Sequence, residues 1–214
     1  MSTSIPYNPK ISYNPKTAAL VIIDMQECFR DDAVAVIQNI QSIVKACHDN
    51  SVPVFWTQHT HRNIEFDGGP LERRWGSEML KTMIWGSEEW KIVKELQPLV
   101  TRSQTSLGSL DFIIQSKTRY DAFYKTELNT ILASLGIETL VISGVRTNLC
   151  CETTAKSGFD EGYDILFVKD ATATETPQMH EATLLNMEYG WAKLATTDNI
   201  IKWLGNLENP FVKQ

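Results

Sequence analysis

The chain carries a cysteine where a nucleophile is easily made. An apolar run, Thr139-Leu140-Val141-Ile142-Ser143, leads into Gly144-Val145-Arg146-Thr147-Asn148-Leu149-Cys150-Cys151-Glu152-Thr153-Thr154-Ala155. This reads as a strand ending in a glycine turn that opens a helix with sulfur in its first turn. Partial positive charge and unpaired backbone N–H groups collect at a helix N-terminus, which favours a thiolate and offers an oxyanion site beside it. Two other apolar runs also end in ionisable residues: Ala18 to Ile23 runs into Asp24, and Phe112 to Gln115 runs towards Lys117. In an open parallel sheet the carboxyl ends of the strands gather along one edge. An acid, an amine and a thiol far apart in sequence would then share one crevice and support covalent catalysis.

The elements that must position these residues alternate. After the first strand, Val34, Ile37, Ile40, Val44 and Cys47 recur at helical spacing and predict an amphipathic helix over 34–49. Val52 to Trp56 predicts a short strand. Between 58 and 86 the periodicity fades into a loop marked by Gly68-Gly69-Pro70 and carrying His59, His61 and Trp75. Such a long excursion is usually functional or at an interface. Ser87 with Glu88 and Glu89 predicts a helix start, with Val93 and Leu96 on its buried side, before the strand leading to Lys117. Thr126 is placed to cap a helix with Leu128, Ile131, Leu132 and Leu135, which Gly136 ends. A helix from Cys150 to about Glu161, a strand Asp164 to Val168, a helix over 178–189, a short strand near Trp191 to Ala195 and a last helix from Asp198 follow. Strands alternating with helices predict one α/β domain, a three-layer, doubly wound, mainly parallel sheet of six strands. Residues 1–16, with the duplication Tyr7-Asn8-Pro9-Lys10 and Tyr13-Asn14-Pro15-Lys16, read as an N-terminal arm, and 17–214 as the domain.

Composition bounds the function. The 214 residues, 43% hydrophobic and 21% charged, suit one globular domain with a sizeable core. A net charge of −6 without a basic stripe argues against nucleic acid as a partner. No run approaches a membrane span and no leader pattern opens the chain, so a cytoplasmic protein is expected. Cys28, Cys47, Cys150 and Cys151 show no framework spacing and read as reduced thiols.

Three segments carry a family resemblance. Val21-Ile22-Ile23-Asp24-Met25-Gln26 with Phe29, Lys117-Thr118-Arg119-Tyr120-Asp121-Ala122-Phe123, and the block from Gly144 to Ala155 resemble the signature regions of the isochorismatase-like cysteine hydrolases. The likeness continues through Asp170-Ala171-Thr172-Ala173 and Met179 to Asn186, covering roughly residues 17 to 200. The resemblance implies a Rossmann-like hydrolase fold with Asp24 as general base, Cys150 as nucleophile and Lys117 between them favouring both anions. It also implies a non-proline cis peptide between Val145 and Arg146, which would aim the Arg146 and Cys150 N–H groups at one point as an oxyanion hole. Phe29 and Trp75 resemble positions flanking a small planar substrate, and Phe123 is a third aromatic candidate. Cys151, about 100° further round the helix, is expected in packing, and His180 to pack or cap within its helix. The Arg146 guanidinium has two open readings, exit towards solvent or a partner subunit, or a bidentate hold on a substrate carboxylate.

The implied activity is hydrolysis of a small-molecule amide or ureido C–N bond through a thioester, by a dimer or tetramer without cofactor. One branch of the family, the nicotinamidases, binds a metal near the 58–86 loop in a pattern beginning Asp-x-His. Thr57-Gln58-His59-Thr60-His61-Arg62-Asn63 lacks that aspartate, so no metal is assigned. Two other readings stay open. Vinyl ether cleavage of the isochorismate type is opposed by Cys150, because members with that chemistry lack the cysteine. A non-catalytic thiol sensor would need neither Asp24 nor Lys117 in place. The loops at 58–86 and 101–110 are expected to shape the pocket.

Overall fold

The computed structural model describes residues 11, 13–105, 109–206 and 209–211. Its strands are β1 (Ala18–Ile23), β2 (Val54–His59), β3 (Asp111–Lys117), β4 (Thr139–Val145), β5 (Asp164–Ala173) and β6 (Lys193–Ala195). They form one sheet in the order β3-β2-β1-β4-β5-β6, and every neighbouring pair is parallel. The doubly wound six-stranded sheet expected from the alternating pattern is therefore present. The order reverses between β1 and β4, and ligands bind open α/β sheets in the crevice beyond the carboxyl ends at such a point.

The helices are α1 (Arg30–Ala33), α2 (Ile37–Asp49), α3 (Ile64–Asp67), α4 (Gly69–Trp75), α5 (Ser77–Lys81), α6 (Gln97–Thr105), α7 (Leu128–Ser134), α8 (Glu152–Asp160), α9 (Pro177–Gly190) and α10 (Thr197–Leu204). Side chains alternate across a strand, and β1 serves both layers. Leu20 and Ile22 meet Ile40, Ile43 and Val44 of α2 and Trp203 of α10, whereas Val21 and Ile23 share a core with Leu132 of α7, Ala155 of α8 and Met187 of α9. Both faces of the sheet are covered, which is why β1 and β4 are apolar along nearly their whole length. Tyr13, in the described part of the expected arm, packs against Phe211 with ring centroids 5.5 Å apart and accepts a bond from Trp203 Nε1 at its carbonyl, 3.1 Å. Residues 1–10 and 12 of that arm lie outside the described residues.

Several boundaries differ from the sequence pattern for identifiable reasons. Val34 is exposed and lies outside α2, which starts at Ile37. The 58–86 segment contains the short helices α3, α4 and α5. No helix starts at Ser87: the segment to Leu96 is a series of turns before α6. Its backbone is taken by the chain leaving β1, with Glu27 N–H donating to Lys91 O (2.8 Å), Cys28 N–H to Glu89 O (2.8 Å) and Val93 N–H to Met25 O (2.9 Å). Tertiary pairing overrides local propensity there, while Val93 and Leu96 are buried as expected. Thr126 does accept a bond from Leu128 N–H (3.2 Å) at the start of α7, and Gly136 leaves that helix with φ +66°.

The sheet is irregular at its carboxyl edge on both sides of β1. Between the pairs Thr57↔Ile114 and His59↔Lys117, β3 advances three residues against two on β2. Between Ile142↔Phe167 and Gly144↔Thr172, β5 advances five against two on β4. Such bulges bend a strand and re-aim its side chains.

Gly144 marks the tightest approach in this region. Its φ is +111°, and a Cβ there would lie 2.1 Å from the Ile23 carbonyl oxygen and 2.6 Å from the Ile23 nitrogen. Those neighbours are backbone and cannot swing aside. Gly144→Ala should therefore cost about 3 kcal/mol and lower the melting temperature by roughly 6–12 °C. Gly162→Ala, also at positive φ (+98°) but with nothing within 4 Å of the added carbon, should cost only about 1 kcal/mol. Thermal unfolding of the two variants side by side checks this, since equal losses would mean that the close approach contributes nothing.

Candidate active site

Asp24 is the first residue after β1, has φ +47° in the left-handed region and has no exposed surface. Thr57 of β2 orients it twice. Asp24 N–H donates to Thr57 Oγ1 (3.2 Å), and that hydroxyl donates to Asp24 Oδ1 (2.7 Å). Two residues on, buried Gln26 ties the end of β1 to that of β2. Its Oε1 accepts from His59 N–H (2.7 Å), and its Nε2 donates to the carbonyls of His59 (3.1 Å) and Trp90 (2.8 Å).

Lys117 ends β3 opposite His59 and is also fully buried. The extra residue in β3 brings it into this register. Its Nζ donates to Asp24 Oδ2 (2.5 Å) and to Cys150 Sγ (3.5 Å). The acid, amine and thiol that the sequence places at three strand ends therefore meet at one point.

Cys150 lies on a wide turn, Thr147–Cys151, whose hydrogen bonds span five residues and which passes into α8. The sequence places it in the first turn of a regular helix. Instead, Cys151 N–H and Leu149 N–H both donate to the Arg146 carbonyl, at 3.1 Å each. The Val145–Arg146 peptide is cis. Cys151 is fully buried in the second core, its sulfur 4.0 Å from the Ser143 carbonyl oxygen. Arg146 Nε donates to Asp32 Oδ2 (2.7 Å), and its Nη1 is 3.7 Å from Glu175 Oε2. The guanidinium is thus balanced by two carboxylates of its own chain.

Burial reverses the charge state that the helix N-terminus suggests for sulfur. It pushes the Cys150 thiol up to about 12, against the downward pull of Lys117 and with a further upward push from Asp24. Burial alone would lower the Lys117 ammonium, but Asp24 and the Cys150 sulfur together raise it above the ordinary lysine value. The resting site at neutral pH is then a Lys117–Asp24 ion pair beside a protonated thiol.

A mostly apolar cavity opens over Cys150, lined by Phe29, His59, Leu71, Trp75, Met79, Leu80, Met83, Tyr120, Arg146 and Leu149. Phe29 and Trp75 both line it. Phe123 does not line this cavity. It packs against Tyr163 with ring centroids 5.9 Å apart, in the core below. The aromatic wall from that loop is Tyr120, whose Oη accepts from Trp75 Nε1 at 2.6 Å. His180 Nδ1 lies 3.0 Å from Thr147 Oγ1 rather than in the cavity. The 58–86 segment supplies much of the lining, whereas no described residue of 101–110 does. His59 is a wall residue that the sequence raises only as a metal ligand, and the sole signal for Tyr120 is its place in the Lys117 motif.

Donor atoms of Asp24, His59 and Cys150 lie within 4.8 Å of one another. They do not fit a resident metal, because the Lys117 ammonium already answers Asp24 and touches the sulfur. Beside them, His61 Nδ1 is paired with Asp67 Oδ1 (2.8 Å), and Nε2 of both His59 and His61 is buried without a hydrogen-bond partner among the described residues. Two imidazoles without a third ligand fall short of a zinc site.

An all-parallel sheet in this order, with a buried acid, amine and thiol at its switch point, has the architecture of a cysteine hydrolase. The Isochorismatase domain model matches residues 18–199, and the chain belongs to the isochorismatase family. Among curated relatives, Nicotinamidase 3 of Arabidopsis thaliana is 37% identical over 194 residues, covering 90% of this chain and 92% of that protein. A ureidoacrylate amidohydrolase of Methylobacterium radiotolerans is 30% identical, over 87% of this chain and 80% of its own length. Among solved structures, a cysteine hydrolase from Pseudomonas syringae pv. phaseolicola superimposes with TM-score 0.82 at 22% identity, covering 97% of this chain and all (100%) of that one.

The charges around Cys150 set its reactivity. Alkylation by iodoacetamide should be slow at neutral pH and rise towards alkaline pH. Lys117→Met, which removes the group lowering the thiol pKa, should move the rate profile to still higher pH, and Asp24→Asn, which removes a group raising it, should move it lower. Mass-spectrometric alkylation rates on folded protein check both directions. Superimposable profiles for the three proteins would show that these side chains do not control the sulfur.

Proposed function

We propose that Asp24, Lys117 and Cys150 are the reaction centre of an amidohydrolase that cleaves the C–N bond of a small amide or ureido substrate through a thioester. The observation that carries this is the position of Lys117 Nζ, 2.5 Å from Asp24 and 3.5 Å from the Cys150 sulfur, with all three groups out of water. The relatives named for nicotinamide and ureidoacrylate hydrolysis support the C–N bond as the target.

Asp24 takes the Cys150 proton as sulfur adds to the carbonyl carbon, and Lys117 stays paired with whichever of the two groups carries the negative charge. The Arg146 and Cys150 backbone N–H groups are assigned to the oxyanion. Collapse breaks the C–N bond, the nitrogen leaves with the proton held by Asp24, and a thioester remains. Asp24 then takes a proton from water, hydroxide adds to the thioester, and the carboxylic acid leaves as sulfur recovers a proton. Phe29, Trp75 and Tyr120 are assigned to the walls that hold the substrate plane.

The four cysteines are unbridged, and no helix among the described residues is long and apolar enough to cross a membrane. Both facts are in keeping with action in the cytoplasm. Leu185 and Tyr189 are exposed on α9 (69% and 72%) and support a homo-oligomer, dimer or tetramer.

Ammonia release across simple amides, ureido acids and nicotinamide tests the reading. Cys150→Ala should lower the rate by at least about 10³-fold with unchanged circular dichroism, and Cys151→Ala should retain most of it. Equal losses in the two variants would overturn the assignment of the nucleophile. Exhaustive chelation should leave the rate unchanged, whereas a loss restored by zinc would give the reaction to a metal-polarised substrate.

A further inference from the structure

We propose that His180 is a positioning residue for the candidate nucleophile: its Nδ1, in contact with Thr147, holds the turn that carries Cys150 at the distance from Lys117 that the chemistry needs. This rests on the amidohydrolase reading, which gives that sulfur its role.

Lys117 comes from β3 and is pinned to Asp24, so the 3.5 Å approach of its Nζ to the Cys150 sulfur depends on where the turn Thr147–Cys151 sits. That turn is not a regular helix. Its wide hydrogen-bonded spacing is a rare pairing that occurs mostly as single turns, so contacts from outside matter more in fixing it. Three side-chain contacts reach the turn and the start of α8 from the chain that follows β5. Thr174 Oγ1 donates to Asn148 Oδ1 (2.7 Å), His180 Nδ1 lies 3.0 Å from Thr147 Oγ1, and Thr183 Oγ1 donates to Glu152 Oε2 (2.8 Å). Thr147, Asn148 and Glu152 bracket Cys150 in sequence, and His180 and Thr183 both belong to α9.

The His180 contact is the one the turn can least replace. Thr147 has no exposed surface, whereas Asn148 and Glu152 are only partly buried and Glu152 also accepts from Lys156 Nζ (2.6 Å). A buried hydroxyl that loses its partner keeps its desolvation penalty with nothing to offset it. Thr147 also opens the turn, directly after the Arg146 carbonyl that takes the Leu149 and Cys151 N–H groups, so a shift there carries the rest with it. The platform behind the imidazole is firm. Thr176 caps α9 by accepting from Met179 N–H (3.3 Å), His180 N–H donates to the Thr176 carbonyl (3.2 Å), and Leu184 and Met187 are buried in the second core. His180 is not among the residues lining the cavity over Cys150, so its effect on the reaction passes through the turn. Lys117 lowers the Cys150 thiol against burial. A turn free to drift weakens that pull and misaligns the proton path to Asp24.

The test reads the sulfur directly, so that it does not depend on turnover. Iodoacetamide alkylation of Cys150, followed by mass spectrometry on folded protein at a fixed alkaline pH, compares the unaltered chain with four variants. His180→Leu should slow the reaction about fivefold, as expected when the nearby cation no longer favours the thiolate. His180→Asn, which puts a polar atom where Nδ1 stands, should return the rate to within about twofold, whereas His180→Gln, whose polar atoms stand nearer the place of Nε2, should behave like His180→Leu. Thr147→Val, nearly the same shape without the hydroxyl, should match His180→Leu, and combining the two should add little, because they remove one contact. If His180→Leu fails to fold, Thr147→Val and the asparagine–glutamine pair carry the same comparison. Unchanged or faster alkylation in His180→Leu or Thr147→Val, equal rates for His180→Asn and His180→Gln, or losses that multiply in the double variant would each overturn the proposal. In ammonia release, His180→Leu should lose at least about tenfold in kcat with KM within about twofold, and a loss confined to KM would also overturn it. An alkylation response in a chain that releases no ammonia from any amide would sink the amidohydrolase reading and leave the His180 contact as what places the sulfur.

Discussion

A lysine ammonium with no exposed surface persists only where an anion is fixed against it, because the desolvation of an unpaired charge costs several kcal/mol. Lys117 and Asp24 meet that condition at 2.5 Å. Much of the local architecture serves to keep the pair aligned. Thr57 closes a two-bond ring on Asp24, Gln26 joins the β1 and β2 ends, and the extra residue in β3 brings Lys117 opposite His59. Removing either partner would strand the other charge in a low-dielectric interior, at a cost of about 3–5 kcal/mol. The contact is therefore a structural tie between the outer and central strands of the sheet.

On the proposed mechanism, the pair also accounts for how a thiol whose pKa is raised by burial would act as a nucleophile. Passing a proton from Cys150 to Asp24 converts an ammonium–carboxylate pair into an ammonium–thiolate pair. Net charge is the same before and after, so the buried site does not have to solvate a new ion. A free thiolate in bulk solvent is not required, and the high resting pKa shields the sulfur from adventitious electrophiles and oxidants.

The polar centre was legible in the sequence because Asp24, Lys117 and Cys150 each follow an apolar run, and parallel topology sends such ends to a common edge. The sheet followed from the same alternation. Three properties were hidden for one reason, that they arise only on assembly. The thiol's charge state depends on burial, which no local pattern encodes. The segment at 87–96 carries helix-start residues, yet its backbone is claimed by the chain leaving β1. Phe123 and Tyr120 lie three residues apart in one turn, and composition does not say which ring reaches the cavity; Tyr120 does, while Phe123 joins Tyr163.

The two sheet bulges flanking β1 have a consequence for how this fold can change over evolutionary time. A regular ladder at the carboxyl edge would add backbone pairing, yet it would also draw β3 and β5 in step with their neighbours and alter the gap in which Asp24, Lys117 and Cys150 sit. On the proposed mechanism, local regularity and the geometry of the site are therefore competing optima in this region. Substitutions that idealise β3 or β5 are the ones most prone to yield a sturdier, inert protein. Sequence drift should accordingly be freer at the amino ends of the strands, where the register is regular, than at the irregular ends, whose departures from ideal pairing are what selection has to preserve.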